Sequence, residues 1–242
     1  RSTPSNSSAA SDVYKRQDKN ILEEDTKFFE RIASPGTSFK ILAPTKGPKS
    51  IETEYDKFLA APEVLKIIKE NKNNYDAIMI NCFEDLALNA AREIAEIPVL
   101  GPGETSMLVA CLLGAKFSVI SNFDRDALHI AIRVRSLGIE SRLASVYGVE
   151  IPVLGLEQDW AKTAERILAR AKEAIEKDKA EVIVLGCTGM WPVAKVVSEK
   201  LDVPLVEPAS TTFKMAQLVA ELGLKHSKIA FYTPPSYDKI IE

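Results

Sequence analysis

Two cysteines occupy equivalent places in what reads as one unit written twice. Cys82 sits in "AIMINCFEDLALNAAREIAEIPVLGPGET", residues 77–105, and Cys187 in "VIVLGCTGMWPVAKVVSEKLDVPLVEPAST", residues 182–211. Each thiol closes a short apolar run and leads into a helical pattern. A proline-led apolar triplet follows each time, Pro98-Val99-Leu100 against Pro204-Leu205-Val206. Pro102 then answers Pro208, and Thr105 answers Thr211. A lone cysteine is usually core filler, because the side chain is small and readily buried. Two at matching positions of a repeat, 105 residues apart, point to a shared task.

Two thiols on opposite sides of one carbon can invert its configuration. A thiolate takes the proton from one face while a thiol returns one to the other. The free thiol pKa lies near ~8.5, and a helix N-terminus lowers it. The turns after the cysteines, through "FEDLAL" and "TGMWPVAK", would offer backbone N–H groups to a thiolate and to substrate oxygens. Held this way, a carbanion needs no cofactor. The acidity of the substrate C–H sets the cost, so activated or cyclic substrates are easier than free amino acids.

The elements that must position the thiols alternate regularly. "NILEEDTKFFERIA" is helical and stopped by Pro35-Gly36, "SFKILAP" reads as a short strand, and "YDKFLAAPEVLKIIKEN" as helix, with Pro62 starting a second segment. "YDAIMINC" and "AEVIVLGC" are strands apolar on both faces, as parallel sheets require. "PVLG", "KFSVIS", "ESRLASVYG" and "VPLVEP" are further strands. Helical patterns separate them, the longest being "QDWAKTAERILARAKEAIEKD". Alternation of this kind gives an α/β fold with parallel sheets, whose ligands gather beyond the C-terminal strand ends. Both cysteines fall there. The repeat predicts two pseudosymmetric lobes, each a mostly parallel sheet flanked by helices, with the site in the cleft between them. The first lobe is expected over residues 19–118 plus 208–242, and the second over 119–207.

Residues 1–18 stand apart. "RSTPSNSSAASDVYKRQ" has no period-2 pattern and no apolar core of a signal peptide. It reads as a disordered or non-native leader that adds no strand to the sheet, leaving a gap in the first lobe.

The chain's 242 residues suffice for two lobes, and a net charge of -3 offers no basic footprint for nucleic acid. No apolar run approaches the ~18 residues of a membrane span. Three widely spaced cysteines are no disulfide framework and fit a reducing, cytoplasmic setting.

The two cysteine segments resemble those of the aspartate/glutamate/hydantoin racemase superfamily, nearest its hydantoin and allantoin racemase branch. "GPKSIETEYD" and "LGLKHSKIAFYTPPSY" share the likeness, which covers about residues 20–240. The resemblance implies a cofactor-independent racemase with a small-molecule substrate in the cleft, usually a homo-oligomer. It implies that Cys82 and Cys187 are the catalytic pair. It places Phe83 and Glu84, and likewise Thr188 and Gly189, in the substrate-cradling turns, and Asn81 beside Cys82 joins the substrate-binding set. The departure is at the front. There the family has a strand ending in an Asn-Pro-Asn-Ser/Thr-like turn; here only "TPSNSS" stands, with Ser5, Asn6, Ser7 and Ser8 as its counterpart or a coincidence.

Other residues carry weaker signals. Thr45 and Ser50, after "KILAP", are within reach of substrate or simply solvated. Glu104 opens a helix, where its charge suits the macrodipole, and is a candidate for the cleft. The "GPGETS" glycines lack a P-loop's Gly-Lys-Ser/Thr and permit a tight strand-to-helix turn instead. Cys111 lies on an apolar helix face. His129 and His226 are unclustered, which argues against a zinc site. No Lys or Arg flanks either cysteine, which favours a neutral or amide-containing ring over the acidic substrates of aspartate or glutamate racemases and maleate isomerases. The decarboxylase relatives keep one catalytic cysteine. A non-catalytic binding protein on the same scaffold is the alternative from outside enzymes.

Overall fold

Strands apolar on both faces must be covered on both faces, and the chain meets this demand with two small parallel sheets. The computed structural model describes residues 8–11 and 19–235. Strands β1 (Ser8–Ser11), β2 (Ala77–Ile80) and β3 (Val99–Leu100) form one sheet in the order β1-β2-β3. Strands β4 (Phe117–Ser121), β5 (Leu143–Gly148), β6 (Val182–Leu185) and β7 (Leu205–Val206) form the other, in the order β5-β4-β6-β7. Every pairing is parallel. β2, β4 and β6 are buried along their whole length, and the fold is α/β.

The helices are α1 (Lys19–Ile32), α2 (Glu54–Asn71), α3 (Leu88–Ile94), α4 (Pro102–Leu113), α5 (Ala127–Ser136), α6 (Trp160–Asp178), α7 (Trp191–Ser198) and α8 (Pro208–Glu221). Their starts follow local chemistry. Thr53 caps α2 by accepting from the Asp56 N–H, and Asp159 caps α6 by accepting from Lys162. Glu207 caps α8 through the N–H groups of Ala209 and Ser210, both at 2.7 Å. α6 turns Thr163, Ile167, Ala171 and Ala174 inward, a helical stripe set against the Ile183 and Leu185 face of β6. α4 packs on α8; α4 also touches β6, and α8 lies on β2, so this helix pair joins the two sheets. Among the described residues no helix is long and apolar enough to cross a membrane.

Three expectations change. Ser8–Ser11 does form a strand, paired parallel with β2 from Ser8 opposite Ala77 to Ser11 opposite Ile80. An open edge of β2 is a ready template for backbone pairing, and an outer strand needs no alternating apolar pattern. The expected gap beside "AIMINC" is therefore filled, while Ser5, Asn6 and Ser7 lie outside the described residues. "SFKILAP" makes only isolated bridges at Ser38 and Ile41. Its Phe39 ring packs edge-on against Phe29 and Phe213 instead, and this aromatic cluster under α1 and α8 fixes the segment without a ladder. Pro62 does not divide its helix; α2 runs through it.

Candidate active site

The two cysteines end in the same local geometry. After β2, the Cys82 carbonyl accepts from the Asp85 N–H at 2.9 Å; after β6, the Cys187 carbonyl accepts from Met190 at 3.1 Å. In both turns the N–H two residues on is directed at the sulfur. Gly189 donates to Cys187 Sγ at 3.4 Å, and the Glu84 N–H is hydrogen-bonded to Cys82. A thiolate in either turn therefore meets a backbone donor as it forms.

Both turns open into one cleft, with Cys82 7% and Cys187 9% exposed at its wall. Its empty volume is about 710 Å³, part of it open to solvent. Three strand ends build it. Asn81 to Glu84 follow β2, Ser121 ends β4 with Asn122 and Phe123 after it, and Gly186 to Gly189 follow β6, as the rule for parallel sheets requires. The turns touch across the lobes, since Thr188 Oγ1 donates to the Asn81 carbonyl at 3.3 Å. The entry to α2 supplies a further wall of Ile51, Glu52, Thr53, Glu54 and Lys57. Glu52 is fixed there by the Val153 N–H of the second lobe at 3.0 Å.

Charge is arranged tightly around the first turn. Glu84 pairs with Lys57 at 2.9 Å and with Arg133 at 3.2 Å. Burial opposes its ionisation, but the Arg133 and Lys57 charges hold its carboxyl below the ordinary value. Arg133, from α5, also donates to the Phe83 carbonyl, reaches Asp85 at 3.4 Å and lies over the Phe83 ring. Asp85 accepts from the N–H groups of Gly103 and Glu104 at 2.8 and 2.7 Å, which makes it the cap of α4 from outside that helix. Burial pushes its carboxyl up to about 6, against the pull of Arg133 and those two donors. Burial, and after it the Glu84 carboxylate, push the Cys82 thiol well above its usual value. This environment favours the thiol form of Cys82.

Comparison with known proteins now decides the family. The sequence model described as Asp/Glu/Hydantoin racemase matches residues 25–216. The chain belongs to this family. It is a racemase, and so an isomerase, of the hydantoin and allantoin branch. A hydantoin racemase from Pseudomonas sp. (strain NS671) is 35% identical over 204 residues, 84% of this chain and 82% of that one. The crystal structure of allantoin racemase from Pseudomonas fluorescens superposes with a TM-score of 0.90 at 30% identity, covering 98% of this chain and 100% of that one. Allantoin racemase from Klebsiella pneumoniae gives 0.89 at 28% identity, covering 98% and 96%. The binding-protein alternative falls away.

Of the residues singled out in the sequence, the racemase brings Asn81, Cys82, Phe83, Glu84, Cys187, Thr188 and Gly189 to the cleft. Thr45, Ser50 and Glu104 do not line it. Thr45 is exposed, and Ser50 hydrogen-bonds Glu52. Glu104 is held in a two-pronged pair with Arg92 at 2.8 and 3.0 Å, away from the thiols. Cys111 packs partly against the core between α4 and the second sheet. The "GPGETS" glycines serve close approach. A Cβ on Gly103 would collide with Arg133, the Phe83 carbonyl and Asp85, and neither Gly101 nor Gly103 has a positive φ.

Several site residues escaped the sequence reading. Ser121 ends β4 and Asn122 follows it, and the strand-end rule that found the cysteines would have found them. Lys57, His129 and Arg133 carry no such signal, because helices distant in sequence bring them in. His129 lines the cleft and sits 3.0 Å from Glu54. Among the described residues, no group of three or more His, Cys, Asp or Glu side chains is placed to hold a metal ion.

Proposed function

We propose that this racemase inverts a carbon acid centre in a neutral, hydantoin-type ring by proton transfer between Cys82 and Cys187, without a cofactor. The observation that carries the reading is the matched pair of turns. Each thiol stands at a parallel strand's end, each sulfur faces the N–H two residues on, and both open on one cleft. One thiolate removes the proton from the stereocentre, the ring carbonyl takes up the charge as an enolate, and the opposite thiol delivers a proton to the other face. For the reverse enantiomer the roles exchange.

The charge of the cleft supports a neutral substrate. Among the described residues lining it, Lys57 is the one lysine or arginine, and Glu54 and Glu84 both pair with it. An acidic amino acid would face spent positive charge and a standing carboxylate. A ring amide meets no such cost, and its C–H is more acidic than that of a free amino acid. The kinship with hydantoin and allantoin racemases points the same way.

The test uses an enantiopure 5-substituted hydantoin and allantoin, followed by optical rotation in deuterium oxide. Wild-type protein is expected to racemise at least one of them with deuterium entering the stereocentre. Cys82→Ser and Cys187→Ser are expected to lose racemisation, because a hydroxyl is far too weak an acid to supply the base. Each is expected to retain exchange of one enantiomer only, with opposite preference. Near-wild-type racemisation by both variants would sink the two-thiol mechanism.

A further inference from the structure

Asn81 immediately precedes Cys82, is 3% exposed, and lines the cleft. Its backbone carbonyl is engaged by Thr188. Its side-chain oxygen is buried and has no hydrogen-bond partner among the described residues. Neighbouring polar groups of the cleft are already committed. Ser121 donates to Asp126 at 2.6 Å, Asn122 donates to the Ile151 carbonyl at 2.8 Å, and Lys57 is paired with Glu84. A buried acceptor without a partner is costly and rare in folded proteins, so it calls for a reason.

We infer that Asn81 Oδ1 accepts a hydrogen bond from the substrate's ring N–H next to the stereocentre, and that the racemase therefore selects rings unsubstituted at that nitrogen. The inference rests on the reading of the substrate as a cyclic amide. The placement fits the chemistry. The residue beside a proton-transferring thiol is the one to touch the atom beside the carbon that loses its proton. An acceptor there fixes the ring so that the C–H is presented to the sulfur. It also rejects ring analogues with an ether oxygen or an N-methyl group at that position, which offer no donor and leave Oδ1 unpaired. Asn81 acts by holding the ring and moves no proton itself.

The test is calorimetric binding of a 5-substituted hydantoin and of its N-methyl analogue, methylated at the nitrogen next to the stereocentre. Wild-type protein, Asn81→Leu and Asn81→Asp are compared. Wild type is expected to bind the N–H compound roughly 5- to 150-fold more tightly, the range for leaving one buried acceptor unpaired. Asn81→Asp keeps an acceptor and is expected to keep the preference. Asn81→Leu is expected to lose it while melting no lower than wild type, because an apolar side chain of similar shape removes the unsatisfied atom. Asn81→Ala makes the same comparison if leucine disturbs the packing. Equal binding of the two ligands by wild type, binding of neither, or a preference that survives in the leucine and alanine variants overturns the inference. Discrimination in binding by a wild type that does not racemise either ring would sustain the role of Asn81 and overturn the proposed reaction instead.

Discussion

At the scale of single residues, the thiol of Cys82 is governed by its next neighbours. Burial and the Glu84 carboxylate raise its pKa, Asp85 and Cys187 add to the rise, and the Glu84 N–H opposes it. Replacing Glu84 by Gln removes the carboxylate and leaves Arg133 and Lys57 each with one carboxylate fewer, so both changes favour the thiolate. The Cys82 pKa should fall by about one unit or more. The expected outcome is faster alkylation of Cys82 at a given pH, with the alkylation profile of a Cys187→Ser background displaced toward lower pH. An unmoved or upward-moved profile would show that Glu84 does not act on the sulfur. The residues that make this environment differ in how far the sequence revealed them. Phe83, Glu84, Thr188 and Gly189 follow the cysteines directly and were legible from the family resemblance of those segments. Lys57 and Arg133 were not, because an ion pair between distant helices leaves no local pattern. The absence of a flanking cation suggested a site without one, whereas the cleft holds a lysine whose charge is already spent.

At the scale of elements, the alternation of strands and helices was readable because inner parallel strands are nearly unbroken apolar runs. The cap of α4 was not. Its N-cap residue is Gly101, which has no side chain to cap with, and the acceptor arrives from Asp85 in the turn after Cys82. The reading of "GPGETS" as a tight turn missed this, since a glycine needed for close approach looks in sequence like a glycine needed for φ. Likewise "SFKILAP" has strand composition, yet its aromatic side chain finds burial between α1 and α8, and tertiary packing overrides local propensity. The consequence for α4 can be tested. Gly103→Ala would push a methyl group into Arg133, the Phe83 carbonyl and Asp85. It should cost about 2 kcal/mol or more, the range for losing a helix cap together with overpacking. Activity should fall as well, because the same turn carries Cys82. A melting temperature and turnover close to wild type would mean that the turn can shift without consequence.

At the scale of the whole molecule, the cleft exists only while two lobes hold a fixed relation, and Arg133 spans them at the site beside the Thr188–Asn81 and Val153–Glu52 hydrogen bonds. It stands on α5, beside the second sheet, and engages Phe83, Glu84 and Asp85 after β2 of the first. A second tie lies just past the Cys187 turn, where the Trp191 indole donates to Asp25 of α1 at 2.8 Å and stacks on Phe28. The two ties differ in kind. The aromatic one is mainly packing and tolerates small rearrangements. The arginine one is buried charge, and removing it leaves Asp85 without a cation and Glu84 with Lys57 alone in a poorly solvated place, at a cost of about 3–5 kcal/mol. Arg133→Met should therefore lower the melting temperature by roughly 6–20 °C for a chain of this size. Adding Glu84→Gln should recover part of the loss, since one under-compensated charge beside Asp85 is then gone, and the double-mutant cycle should give a coupling of about 1 kcal/mol or more. Arg133→Lys should rescue poorly, because an ammonium cannot reproduce the planar fork that reaches a carbonyl and two carboxylates together. If Arg133→Met is additive with Glu84→Gln and the lysine variant behaves as wild type, the lobes are held by packing and the remaining hydrogen bonds rather than by Arg133. The thiols would then owe their place on one cleft to the α4–α8 pair and the Trp191 contact rather than to the charges around Cys82.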